Sequence, residues 1–323
     1  MSRKIRSNPW TCPMADVTLP RRRRPRPASA LLFLASLLGI PPGLALAQPP
    51  AAVGLDGSVG RSASTKCSGI SSFCLDAKGR LLLCDAKAGM VRVVSQDDRL
   101  LARWRVPFSP EVIDSREDGM FLVAGRGAVA ILDSAGKVVR RGSLPAEHGV
   151  SSITHLGDDV FVCIDDSSGF SVLRLNGRLG ERTRIISGLS GCCGQMDIHA
   201  NKRSLYVAEN ARFAIMKYDR TGRKLAKYVH RDPKDSGYYG DGCCEPKNIC
   251  FGSDGDIYAA ASAQMVVKRY SMTGTYLNGV ARVPNATGGC VRVTIALTPD
   301  RRKLYMLDTE KNVVRLLKPE TAP

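Results

Sequence analysis

Apolar residues in this chain come in short runs, each closed by a turn, and the order of runs repeats. The stretches Cys74–Trp104, His199–Val229 and Cys250–Val280 can be laid over one another. Each reads as a strand, a tight turn, an apolar strand closing near an acidic residue, a third strand ending in a polar turn, and a fourth strand. The turns are built from residues that suit tight β connections: Ala77-Lys78-Gly79, Asp254-Gly255-Asp256, Arg220-Thr221-Gly222 and Met272-Thr273-Gly274.

Taking the first apolar residue of the second strand as an anchor gives Leu81, Phe121, Phe161, Leu205, Ile257 and Leu304, spaced 40, 40, 44, 52 and 47 residues apart. Six strand-rich units of that length predict an all-β fold, a six-bladed β-propeller of four-stranded antiparallel blades. The units fall near residues 66–106, 107–146, 147–190, 191–241, 242–288 and 289–323. A blade cannot bury both of its faces alone, so the ring has to close. The last unit runs out after Val313–Leu317, one strand short, and residues 48–65 are a linker and the candidate source of the closing strand. Four residues beyond the anchors stand Asp85, Gly125, Asp165, Glu209, Ala261 and Asp308. Acids recurring at one structural position point to turn stabilisation rather than catalysis.

The pattern of a Gly-turned strand, a Tyr-Val-Ala-Glu strand (Tyr206–Glu209) and a Lys-Tyr-Asp-x-x-Gly hairpin (Lys217–Gly222) resembles NHL repeats. The segments Ser190–Asp197 (SGCCGQMD) and Gly242–Asn248 (GCCEPKN) are similar to those of exported bacterial NHL proteins that carry Gly-Cys-Cys before the inner strand. The resemblance covers about residues 66–318. It implies a fold and carries no established activity.

Residues 1–47 read as a targeting segment. Arg21 to Arg24 and Arg26 form a basic start, Ala30 to Ile40 an apolar core, and Ala45-Leu46-Ala47 a cleavage site before Gln48. Initiation at Met14 would give a leader of more ordinary length. The expectation is export to a periplasmic or extracellular space, with no membrane-crossing segment afterwards. Of 47 basic and 30 acidic residues, eight and one leave with the leader, so the mature chain carries +10. That charge favours anionic surfaces. Nucleic acid is not an expected partner, because the basic residues are scattered through the repeats without aromatic interleaving.

Ten cysteines remain after residue 47, in a compartment where disulfides persist. Cys67, Cys243 and Cys290 each lie 14 residues before their anchor, and Cys192-Cys193 occupies the same lead-in in the fourth unit. In a closed ring those lead-ins gather at one mouth of the central channel. Three readings compete. Cys192-Cys193 and Cys243-Cys244 could each close a vicinal disulfide, which is strained because consecutive α-carbons are only about 3.8 Å apart. Single cysteines such as Cys290 and Cys67 could bridge neighbouring blades. A thiolate metal site comes third, without the usual C-x-x-C spacing. Cys74, Cys84, Cys163 and Cys250 read as small buried hydrophobes.

Of the four histidines, His155 and His199 sit six residues before adjacent anchors and make an incomplete metal pair; His148 and His230 do not fit the pattern. No H-E-x-x-H, P-loop or G-x-S-x-G occurs, and Gly125-Arg126-Gly127 lacks what a dinucleotide loop needs. The sequence names no cofactor and no metal. The reading carried forward is a non-enzymatic module binding a small ligand or protein at a cysteine-rich channel mouth. Its residues are Cys67, Cys192, Cys193, Asp197, Cys243, Cys244, Asn248 and Cys290. The alternative is a metal-dependent lyase or hydrolase, or a redox protein, using the same mouth.

Overall fold

The computed structural model describes residues 55–232, 234–235, 237–238, 245–262, 265–283 and 291–317, all within one compact unit. Six four-stranded antiparallel sheets form the six blades of a propeller ring. From the channel outward, blade one runs Ile70–Leu75, Leu81–Asp85, Met90–Val94 and Leu100–Arg105. The inner strands of blades two to six are Val112–Ser115, Gly149–Leu156, Asp197–Asn201, Asn248–Phe251 and Ile295–Leu297. Each of the six anchors lies in a second strand. Single-turn 3-10 helices at Ala86–Ala88 and Asn210–Arg212 are the only helices among the described residues. No helix there is long and apolar enough to cross a membrane.

The sixth blade is completed from the other end of the sequence. Leu55–Val59 pairs antiparallel with Val313–Leu317, so one sheet joins the first strand of the ring to the last.

Second strands such as Leu81–Asp85, Phe121–Gly125 and Ile257–Ala261 are buried along their whole length. A strand with only one face covered would alternate buried and exposed. These strands are covered on both faces because each blade lies between two others, and successive side chains point to opposite faces. Leu81 and Leu83 pack with Tyr305, Leu307 and Val314 of blade six, whereas Leu82 and Cys84 pack with Ile113, Phe121 and Val123 of blade two. The core is thus six clusters, one between each pair of neighbouring blades.

The recurrent acids secure turns. Asp85 accepts hydrogen bonds from the backbone N–H groups of Ser68 and Gly69, at 3.0 and 3.2 Å, and from Arg92 Nε at 3.1 Å. Glu209 accepts from Ser190 N–H at 3.0 Å in the same role, and Asp308 accepts from Lys311 N–H and from Arg315. Asp165 makes none of these bonds among the described residues; its neighbour Asp166 accepts from Ser168 and Ser171 instead. In blade two the position is Gly125, where a Cβ would lie 2.0 Å from the Ser109 carbonyl oxygen. Backbone there fills the space that an acid fills elsewhere.

Leu205 is 1 % exposed and packs between blades three and four, against Phe161 and Met216 among others. Leu205→Ala should destabilise the protein by about 2–5 kcal/mol in chemical denaturation. A loss under about half a kcal/mol would show that this strand is not wedged between blades.

Candidate functional site

Every inner strand has one edge that no strand of its own sheet covers, and its backbone groups there need partners. Polar side chains of the neighbouring blade supply them around the ring. Val150 N–H donates to Glu111 Oε2 at 2.8 Å, Ile249 N–H to Asp197 Oδ2 at 2.8 Å, and Ile295 N–H to Asn248 Oδ1 at 2.8 Å. Ile198 N–H donates to Ser152 Oγ at 3.2 Å, and Ile70 N–H to Asn312 Oδ1 at 2.6 Å. Between blades one and two the tie is reversed, with Ser71 Oγ donating to the Pro110 carbonyl at 3.0 Å.

Inside this ring lies a cavity of about 310 Å³ lined by all six inner strands. Its wall is polar: Ser71, Ser72, Asp114, Ser151, Ser152, Thr154, His155, Gln195, Asp197, His199, Asn248, Arg292 and Thr294 all face it. Two longer braces cross between blades that are not neighbours. Arg292, leading into blade six, donates from Nη2 to the carbonyls of Val150 and Ser151 in blade three, at 3.1 and 3.3 Å. Gln195, leading into blade four, accepts from Val293 N–H at 3.0 Å and donates to the Val293 carbonyl at 2.5 Å.

Asp197 is the most constrained acid in the channel. It is 6 % exposed, and its two oxygens take Ser152 Oγ–H at 2.7 Å and Ile249 N–H. One carboxylate therefore joins blades three, four and five. Burial pushes its pKa up to about 6, against the opposing effect of those hydrogen bonds and of His199. Arg292 is held below the ordinary guanidinium value by burial, with Glu111 and Asp197 acting in the opposite direction.

The sequence-based site residues divide into three groups. Asp197 and Asn248 line the cavity, and their oxygens are engaged in the inter-blade ties. Cys67 does not line it: it is 3 % exposed in the cluster between blades six and one, and burial pushes its thiol up to about 12. Cys192 and Cys193 form a tight turn before the inner strand of blade four. Cys193 and Gly194 are both left-handed there (φ 58° and 64°), and Cys192 N–H donates to Asn210 Oδ1 at 3.0 Å. Their sulfurs are 3.1 Å apart, well beyond the roughly 2.0 Å of a disulfide. The vicinal ring expected from the sequence is not closed between them. Cys243, Cys244 and Cys290 lie outside the described residues. Cys74, Cys84, Cys163 and Cys250 are core residues with thiols raised by burial.

His155 and His199 both reach the channel wall. His155 Nδ1 is buried without a hydrogen bond, 3.9 Å from Asp114 Oδ2, and His199 stacks against Phe251. Among the described residues no three His, Cys, Asp or Glu side chains are grouped to hold a metal. His230 is structural, with Nδ1 paired to Asp235 at 2.6 Å and Nε2 to the Gly274 carbonyl at 2.8 Å. Arg292 and Gln195 were missed in the sequence. Their one visible signal is position, each leading into an inner strand.

No family model and no curated protein matches the chain. Solved structures do. Regucalcin from Agrobacterium tumefaciens, described as a calcium-binding protein, matches with a TM-score of 0.59 at 14% identity, over 83% of this chain and 96% of that one. A streptogramin B lyase matches with a TM-score of 0.55 at 17% identity, over 82% and 87%. Virginiamycin B lyase from Staphylococcus aureus follows at 0.53 and 14%, over 82% and 88%. At these identities the likeness is one of fold.

The Asp197 tie has a pH signature. Below about pH 4 the carboxyl is protonated in both folded and unfolded chains. Between about pH 4 and 6 the unfolded form ionises while the folded one stays protonated, so stability falls as pH rises through that window. The fall amounts to ~3 kcal/mol. Asp197→Asn should remove this slope in denaturation curves collected from pH 4 to 7. Parallel curves for wild type and variant would assign the slope to another group.

Proposed function

We propose that this protein is an exported, NHL-type propeller that binds a small ligand in its central channel without transforming it. The observation that carries this reading is the polar cavity of about 310 Å³ that all six inner strands enclose. That is the small end of the range for small-molecule sites. Export is supported by the leader-like residues 1–47, which lie outside the described residues. The turn of Cys192 and Cys193, leading into the inner strand of blade four, fits the reading as a structural element oxidised after export. Peptide mapping of the mature protein under non-reducing conditions would establish their pairing.

Screening purified mature protein against small metabolites by thermal unfolding tests the channel reading. A saturable rise in melting temperature is expected with a ligand of matching chemistry, and no turnover of it. The same preparation should be analysed for metal. Stoichiometric calcium or zinc, with turnover, would shift the reading to a metal-dependent lyase or hydrolase. His155, with its unpartnered Nδ1 beside Asp114, favours that alternative.

A second, surface role rests on a separate observation. The outer strands of blades one to five carry Arg103, Arg105, Arg140, Arg141, Arg182, Arg184, Lys224, Lys227 and Arg282 and not one acid. Exposed Leu101, Val139, Leu225 and Leu277 accompany them. Such a perimeter fits an anionic surface. Retention on an anionic matrix should weaken steeply with salt, and further in a variant carrying Arg140→Glu and Arg141→Glu. Retention insensitive to both would remove the surface role.

A further inference from the structure

Arg292 combines depth with an unsatisfied charge. The guanidinium has five N–H donors, and the two on Nη2 are taken by the Val150 and Ser151 carbonyls. No partner exists among the described residues for the other three, and none of them is sealed from the cavity. Arg292 makes no ion pair there: Asp197 has both oxygens occupied, and Glu111 receives Val150 N–H. Both acids act on it only through space. The residue is enclosed by protein on most sides and open to the channel. A cation in such a place is costly to bury unless it is paired. Among the described residues the rest of the channel wall is neutral, acidic or histidine, so no other group there competes for an anion as Arg292 does.

We propose that the channel is an anion site in which Arg292 holds the carboxylate of a small organic acid. The proposal rests on the channel being a ligand site at all. The Nε–H and Nη1–H groups left over by the backbone carbonyls can donate charge-assisted hydrogen bonds to a carboxylate. The cavity size limits the ligand to a small metabolite. Asp197, Asp114 and Glu111 lie close enough to give the channel a negative background, so a monoanion is favoured over a phosphate dianion. Asn248, whose Nδ2 has no partner among the described residues, lines the same cavity and provides a further contact for the rest of the ligand.

Calorimetric titration of the mature protein with acetate and lactate tests this, with chloride at equal ionic strength as the baseline. Inorganic phosphate, acetamide and calcium serve as the contrasting probes. Monocarboxylates should bind above the chloride baseline and more tightly than phosphate. Arg292→Met should weaken lactate binding by ~10–100-fold. Arg292→Lys, which keeps the charge but not the planar guanidinium, should fall between and guards against a Met variant that fails to fold. Arg178→Glu, in an exposed turn on the outer wall and away from the cavity, should leave the affinity unchanged. Equal lactate affinity in a folded Arg292→Met protein overturns the proposal, as does loss of binding in the outer-wall variant. Phosphate bound more tightly than lactate also overturns it, in favour of a dianion site. If acetamide or calcium binds and lactate does not, the anion assignment falls while the channel reading stands. If no probe binds, both fall.

Discussion

The ring depends on how each inner strand satisfies the backbone edge that faces its neighbour. In a flat sheet that edge would take another strand. Here the next blade presents its own sheet at an angle, and no ladder can form across the gap. One polar side chain per junction bridges it instead, with Glu111, Ser152, Asp197, Asn248 and Asn312 each accepting an inner-strand N–H of the following blade. Each bond contributes only about 1 kcal/mol net, but leaving any of those amides unpaired would cost 1–3 kcal/mol. The apolar clusters between blades supply the larger stabilisation. The ties fix the blades' rotation about the channel and so the positions of the groups on its wall.

The channel chemistry follows from that arrangement. Residues that close the ring also line the cavity, so Asp197 and Asn248 have their acceptor atoms turned to structural work. What remains toward the cavity is mixed: Arg292 and the Asn248 amide nitrogen as donors, Asp114 and Glu117 as acceptors, and two histidines. Among the described residues Arg292 is the cation on that wall, and its spare N–H groups favour a ligand that accepts there. The distant structural relatives share the ring, and at 14–17% identity they say nothing of these side chains.

The fold was legible because its signal is repeated. Apolar second strands recur six times, and Leu81, Phe121, Phe161, Leu205, Ile257 and Leu304 each start or sit in one. The closing strand was harder, since Leu55–Val59 has weak strand character and is held by pairing with Val313–Leu317. The site was only partly legible. The cysteines stood out because they are rare and patterned, yet Cys67 proved to be core, and Cys192 and Cys193 do not line the cavity. Arg292 was hidden by abundance: in a chain with 47 Lys and Arg residues, one arginine has no distinguishing neighbour in sequence. Its environment comes from Val150 and Ser151, 142 and 141 residues away.

The strand that completes the sixth blade sets a clock on folding. Leu55–Val59 is synthesised before any other part of the ring, and its partner Val313–Leu317 after every other part. Blades one to five can form their hairpins as they emerge, but the cluster joining blades six and one needs Val59 and Val314 together. Until the ribosome has released the last strand, the nascent protein is an open arc with two unburied faces. A chain that stays unlocked until it is complete spends its whole synthesis as an open arc, and its last strand is what turns that arc into a ring.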